Sequence, residues 1–314
     1  MEVYDDLTSL RASHPHCVAT IGKYDGMHLG HQMILDRLKQ LARETGLPSL
    51  VILSEPQPEE FFSGDKAPMR LLSFDDKVHF LQQQEIDLVY RMTFDKALSE
   101  LSPEDFVEQI LLAGLGIKGL VIGDDFRFGY KRAGDFKLLQ TLGKKRGFSV
   151  EAAESCLLAG ERVSSTLLRE KLEAGDCEAV RLLLGRPYQL RGEVVSGQQL
   201  GRQLGYPTAN IAVAMERVAI EGIFVATAEF EGCSIQGVAS VGYKPTIKGE
   251  HGLAIEIYLF DFDEHLYGKT LGINFLKKIR DQETFSDLDA LKTKMGQDID
   301  VARDYFNREF RGGV

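Results

Sequence analysis

Apolar runs at positions 17–21, 50–53, 88–92 and 120–122 are separated by longer stretches in which apolar residues recur every three or four positions. Runs of that length read as strands, and the periodicity between them is that of helices crossing over a parallel sheet. The clearest helix follows the first run: Ile34, Leu35, Leu38, Leu41 and Ala42 share one face, and Gly46 then Pro48 supply the stop. Stretches 74–84 and 102–112 repeat the pattern. The second opens S-P-E-D, a capping serine, a first-turn proline and two carboxylates suited to the positive end of the helix dipole. The first half is therefore expected to be a doubly wound α/β domain with a parallel sheet.

After Gly185, Arg186 and Pro187 the texture changes to closely spaced β-rich segments at 188–195, 223–230, 234–241, 253–260 and 270–275, with glycines between them. Such spacing predicts a small antiparallel barrel. Leu288, Leu291, Met295, Ile299, Ala302 and Tyr305 then trace one helical stripe, a terminal helix expected to pack across the barrel. Two domains follow, 1–186 and 187–314, with no internal repeat.

Composition narrows the function. At 314 residues, 44% hydrophobic and 27% charged, the chain is long enough for two domains with proper cores. Acidic residues outnumber basic ones 47 to 37, a net charge of −10, which argues against nucleic-acid or anionic-membrane partners and leaves any phosphate chemistry local. Cys17, Cys156, Cys177 and Cys233 form no C-x-x-C pair, so neither a disulfide framework nor a zinc site is expected. The first ten residues are acidic and no apolar run approaches the roughly 20 residues of a membrane span. A cytoplasmic protein is the expectation, with a monomer as the working oligomeric state.

The string G-K-Y-D-G-M-H-L-G-H at 22–31 runs from the first strand into the strong helix. In a parallel α/β sheet that junction is the usual ligand crevice, and the free amides of the helix start suit phosphate. Gly22, Gly26 and Gly30 allow close approach to the main chain, and His28 and His31, three apart, can point from one helical turn toward a single anion. One histidine capping the helix while the other is solvated is the plainer alternative; a zinc pair lacks an evident third ligand.

The barrel half opens with Gly197, Gly201, Arg202 and Gly205 and then Y-P-T-A-N at 206–210. Glycines at four-residue spacing before a proline predict a loop folded over phosphates rather than a helix. Thr208 and Asn210 alternate along an extended strand, so their oxygens share a face and can complete a magnesium shell that phosphate and water already supply. Glu256 sits between Ile255 and Ile257 on the opposite strand face, either at the barrel mouth or simply outward.

The string at 22–31 resembles the H-x-G-H signature of the nucleotidyltransferase superfamily, in the form found in bacterial bifunctional riboflavin kinase/FAD synthetases. Glu55-Pro56-Gln57-Pro58 with Glu59-Glu60-Phe61-Phe62, then 123–129 (G-D-D-F-R-F-G), then Val163-Ser164-Ser165-Thr166 with Arg169, are similar to that family's adenylyltransferase motifs in order. Pro-Thr-Ala-Asn at 207–210, the segment 237–246, Glu256, and Arg280 with Glu283 and Phe285 are similar to its flavokinase motifs. Lys23-Tyr24, Ser54, Ser240 and Tyr243-Lys244 depart from the common pattern.

The resemblance implies a Rossmann-like sheet domain that adenylylates FMN to FAD and a barrel that phosphorylates riboflavin to FMN, both with Mg2+ and ATP. By it, His28 and His31 stabilise the reacting phosphates, with Gly22, Asp25, Gly26 and Gly30 around them. Arg162, Ser165, Thr166 and Arg169 hold the departing pyrophosphate, and Pro56, Pro58, Asp125, Phe126 and Arg127 line the flavin and adenine region. In the barrel, Gly197, Gly201, Arg202, Gly205, Thr208 and Asn210 bind ATP, the last two also the metal. Glu256 is the general base there, and Arg280, Glu283 and Phe285 meet the flavin. A chain with one active module, or a flavin or nucleotide sensor without turnover, is the alternative.

Overall fold

The computed structural model describes residues 1–197, 200–245 and 251–311. Thr246, the last residue of the 237–246 motif, lies outside them. Two compact units are present: Met1–Pro68 with Phe74–Ser164, and Met69–Ser73 with Ser165–Val314.

The first unit is built on a six-stranded parallel sheet, β1 (Glu2–Tyr4), β2 (Cys17–Gly22), β3 (Ser49–Glu55), β4 (Leu88–Thr93), β5 (Ile117–Gly123) and β6 (Ser149–Ala153), in the order β1-β4-β3-β2-β5-β6. From β2 the chain moves outward through β3 to β4, whereas β5 leads the other way to β6. The direction of winding thus reverses between β2 and β5, which opens a crevice beyond their carboxyl ends. The central strands are the apolar runs of the sequence, and β2 through β5 are buried on both faces. The edge strands β1 and β6 escape the sequence pattern because they are short and half exposed.

The Leu29–Thr45 helix buries Leu35, Leu38, Leu41 and Ala42 and stops at Gly46, whose φ of 64° is left-handed. The expected 102–112 helix is a single α turn, Pro103–Asp105, capped by Ser102, followed by a π-helical stretch Phe106–Gly114. Its wider turns put Phe106 against Phe128, with ring centres 5.6 Å apart, at the edge of the main core.

The second unit contains a closed antiparallel barrel. Its strands are β9 (Tyr188–Val195), β10 (Thr208–Val213), β11 (Gly222–Phe230), β12 (Cys233–Pro245), β13 (His251–Leu259) and β14 (Thr270–Arg280); β7 (Leu157–Leu158) and β8 (Glu161–Arg162) form a separate hairpin in the first unit. Around the barrel the order is β10-β13-β12-β11-β14-β9. Tyr188, Phe224 and Phe275 are almost wholly buried, with Phe224 and Phe275 edge to face. The terminal Leu288–Arg311 helix covers the outside, where Ile299, Ala302 and Phe306 meet Val225 and Phe260. The Ser165–Glu173 and Cys177–Leu184 helices pack together, the second also on β9 and β14. Residues 69–73 join this unit too: the Tyr188 hydroxyl donates to the Leu71 carbonyl at 2.7 Å and Arg169 Nε to that of Met69 at 2.6 Å.

One expectation needs correction. The 197–210 segment is not a loop throughout, because Leu200–Leu204 forms a helical turn that includes Gly201 and Arg202. Five residues are too few for glycine to be prohibitive, and Gly205, at φ 89°, ends the turn. Gly197 is needed for a close approach, since an added Cβ would run into the Asn210 side chain.

Candidate active sites

In the first unit, the 22–31 string links β2 to the Leu29–Thr45 helix. Tyr24 and Met27 take left-handed backbone conformations, with φ of 50° and 49°, and both side chains are buried. The Tyr24 hydroxyl shares a 2.6 Å hydrogen bond with Thr20 Oγ1. Asp25 is also buried. His28 is the helix N-cap: its Nδ1 accepts a 3.3 Å hydrogen bond from the His31 main-chain N–H. That acceptor role places the ring proton of neutral His28 on Nε2, where it can be donated. The two imidazoles stack with centres 3.7 Å apart and planes 16° from parallel, and Tyr24 lies 4.9 Å from His31. Capping and chemistry, separate alternatives in the sequence, are thus compatible in one residue. Gly30 makes room for it, because a Cβ there would sit 3.2 Å from the His28 ring.

Burial pushes the His28 imidazole down to about 4, and the positive charge of Arg162 adds to the effect. His31 is driven well below its ordinary value by burial first, then by His28, Lys77 and Lys23. Both rings are therefore neutral donors at pH 7. Because His28 binds a proton less readily folded than unfolded, its contribution to stability is present above pH 6.5 and is lost as pH falls toward about 4. The shift corresponds to a loss on the order of 3 kcal/mol. Urea unfolding at pH 7 and pH 4.5 checks this, and His28→Asn, which retains a cap, is expected to flatten the dependence. A wild-type slope no steeper than the variant's contradicts the burial of a neutral ring.

Beside this loop is a cavity of about 630 Å³. Phe62, Phe94, Phe106, Phe126 and Phe128 supply flat apolar walls, and Ile21, Gly22 and Met92 come from the ends of the strands. Pro58, Asp125 and Arg127 also line it, whereas Pro56 is exposed ahead of the Pro58–Ser63 helix. Arg162, on β8, lies 2.9 Å from Asp125 and 3.2 Å from Asp124, and Ser155 fixes Asp124 at 2.8 Å. Ser165, Thr166 and Arg169 lie on the first helix of the second unit.

On the barrel, pairing register sets Glu256 of β13 opposite Asn210 of β10 on one side and Ser240 of β12 on the other. The Thr208 hydroxyl donates to Glu256 Oε2 at 3.3 Å. Ile255 and Ile257 fill the barrel interior, so the half-buried Glu256 is on the other face with Thr208 and Asn210. Gln282 reaches the same edge, donating to Ser240 Oγ at 3.0 Å and the Val241 carbonyl at 2.9 Å. Arg280 makes a forked pair with the buried Asp298 of the terminal helix, its Nη2 2.7 Å from Oδ2. Glu283 lies 3.6 Å from Arg280, and the Phe285 ring centre 5.7 Å from its guanidinium carbon.

The FAD synthetase family model matches residues 10–167 and the riboflavin kinase model residues 184–306. A bifunctional riboflavin kinase/FMN adenylyltransferase of Pseudomonas fluorescens is 43% identical over 303 residues, 96% of this chain and 97% of that one. The Haemophilus influenzae protein of the same description is 41% identical, over 93% and 94%. The chain belongs to the bifunctional riboflavin kinase/FMN adenylyltransferase family. A crystal structure from Streptococcus pneumoniae, described as a macrolide-efflux protein, shares the fold with a TM-score of 0.82 at 25% identity, over 96% of this chain and 98% of that one. No described helix of this chain is long and apolar enough to cross a membrane.

Within this bifunctional kinase/adenylyltransferase frame, the sequence-predicted residues fall into local groups. His28, His31, Asp25 and the three glycines lie together along the junction from β2 into the Leu29–Thr45 helix, and Arg162 pairs with Asp125 of the cavity lining. Thr208, Asn210 and Glu256 converge on one barrel face. Phe94, Phe106, Lys131 and Arg132 of the cavity wall, and Asp298 behind Arg280, were not singled out by any sequence signal. Among the described residues no cluster of three or more His, Cys, Asp or Glu could form a metal cage. Neutral oxygens of Thr208 and Asn210 beside a carboxylate suit magnesium, which takes few protein ligands and keeps phosphate oxygens and water.

Proposed function

We propose that the barrel, residues 187–314, transfers the γ-phosphoryl group of ATP to riboflavin, and that residues 1–186 join the resulting FMN to the adenylyl group of a second ATP, releasing pyrophosphate and giving FAD. The observation that carries this reading is the contrast between the two sites. Riboflavin offers an uncharged alcohol, which must lose its proton as it attacks, and the barrel has a half-buried carboxylate among hydroxyl and amide oxygens. FMN offers a phosphate oxyanion, so its site needs positioning and charge neutralisation only, and the sheet unit has neutral imidazole donors at a helix start.

Glu256 takes the proton of the ribityl hydroxyl, held in direction by the Thr208 hydrogen bond. Thr208 and Asn210 hold magnesium, which when bound offsets the negative charge of the ATP phosphates. Gly197, Gly201, Arg202 and Gly205 border the nucleotide, and Arg280, held by Asp298, sets Glu283 and Phe285 beside the flavin. In the other site His28 donates from Nε2 to the reacting phosphates, while His31 stacks on it and Asp25 orders the loop around Gly22, Gly26 and Gly30. Arg162 takes the departing pyrophosphate; the same role for Ser165, Thr166 and Arg169 rests on the 163–169 motif alone. Pro58, Asp125, Phe126 and Arg127 border the flavin, with Pro56 leading into that wall. Both steps run in the cytoplasm on a monomer.

Incubation of the pure protein with riboflavin, ATP and magnesium, with flavins separated over time, is expected to yield FMN first and FAD after it. FAD without a preceding rise in FMN, or FMN that never proceeds to FAD, contradicts the assignment of two successive steps.

A further inference from the structure

Four cations line the cavity of the first unit: Lys23, Arg127, Lys131 and Arg132. Two are already matched. Lys23 lies 2.7 Å from Glu59, and Arg127 lies 3.3 Å from Asp135. The cavity's other carboxylate, Asp125, is held by Arg162. Lys131 and Arg132 come within ion-pair distance of no carboxylate among the described residues; the Lys131 ammonium lies 5.2 Å from the centre of the Tyr130 ring. The charge of Arg132 nevertheless reaches into the cavity. Burial raises the Glu59 carboxyl, yet Lys23, with Arg132 assisting, outweighs that and leaves it below its ordinary value.

The backbone that presents these two residues is unusual. Both are left-handed, with φ of 52° and 59°, a conformation disfavoured for any side chain that is not glycine. The surrounding chain enforces it. Phe128 and Gly134 exchange main-chain hydrogen bonds of 3.2 and 2.9 Å, the Tyr130 N–H donates to the Leu101 carbonyl at 2.7 Å, and the Arg132 N–H to that of Gly129 at 2.9 Å. Strain maintained by a frame of this kind concentrates where a side chain must be aimed. The turn sets both residues in the lining of a cavity whose five phenylalanines suit a flat ring system and whose unmatched charge suits a dianion.

We propose that Lys131 and Arg132 recognise the phosphate monoester of the flavin substrate, and so make this cavity select phosphorylated flavin over the ring system alone. The inference rests on the adenylyl-transfer reading above. It assigns specificity to a turn outside the H-x-G-H loop.

The test uses the full-length chain with Lys131→Asn, Arg132→Asn and the double change. Asparagine tolerates the left-handed region, so charge is removed while the turn is kept. FAD formation from FMN and ATP is measured with lumiflavin as competitor, which has the ring but neither ribityl chain nor phosphate and cannot be phosphorylated by the barrel. Each single change is expected to raise KM for FMN about tenfold, the loss of one charge-assisted contact. The inhibition constant of lumiflavin and KM for ATP are expected to stay constant. An unchanged KM for FMN overturns the proposal. So does a parallel loss of lumiflavin binding, which makes the turn structural, or a rise in KM for ATP in place of that for FMN. A wild-type chain that makes no FAD removes the underlying reading, a failure distinct from FAD synthesis indifferent to the two changes.

Discussion

His28→Ala is expected to lower FAD formation by about 100-fold or more while FMN formation persists. The loss combines two effects. Removal of a donor aimed at the developing charge of a transferring phosphoryl group costs about two to three orders of magnitude in turnover. The helix also loses its N-cap, about 1 kcal/mol, because the His31 N–H no longer has Nδ1 as acceptor. His28→Asn separates the two, since asparagine is a good cap but does not place a ring N–H where Nε2 was. It is expected to melt close to wild type and still fail to make FAD. Adenylyl transfer from ATP to FMN and phosphoryl transfer to riboflavin, assayed on the same folded sample, decide the matter; an equal fall in both activities contradicts separate sites.

Glu256→Gln is expected to stop riboflavin phosphorylation, by about two to four orders of magnitude, and to leave added FMN convertible to FAD at the wild-type rate. The substitution keeps the shape of the side chain and an oxygen for the Thr208 hydroxyl, so packing between β10, β12 and β13 is preserved and only proton acceptance is lost. Glu256→Ala removes both. If the glutamine variant retains phosphorylation while the alanine variant does not, Glu256 holds the strand edge and another group takes the proton. Rates of FMN formation at saturating ATP distinguish these outcomes.

Much of the architecture was legible because burial leaves a local imprint. Strands β2, β3, β4 and β5 were visible as apolar runs since both their faces are covered, and the Leu29–Thr45 helix since one face alone is. The edge strand Ser149–Ala153 was not, because half-exposed alternation over five residues is too short to stand out. The helical turn at Leu200–Leu204 was missed for a related reason: glycine spacing describes what the backbone can do, and a neighbouring strand decides what it does. Of the cavity wall, Pro58, Asp125, Phe126 and Arg127 were marked by their motifs. Phe94 and Phe106 were not, since each looks like an ordinary core phenylalanine until the surrounding segments close around a space. Asp298 was hidden likewise, as one charge in a terminal helix whose partner, Arg280, is eighteen positions away.

By itself the amino-acid order determined the element types, the junction between strand and helix where an anion can bind, and the order of motifs that places the chain in its family. These are read from contiguous runs, from spacings of three or four positions and from short strings of residues. Only the tertiary structure decided that the two imidazoles are stacked and uncharged, that residues 165–184 pack with the barrel unit, and that Glu256 shares a face with both Thr208 and Asn210. Protonation and orientation follow from desolvation and from charges brought within a few ångströms by segments distant along the chain, and no local pattern encodes them.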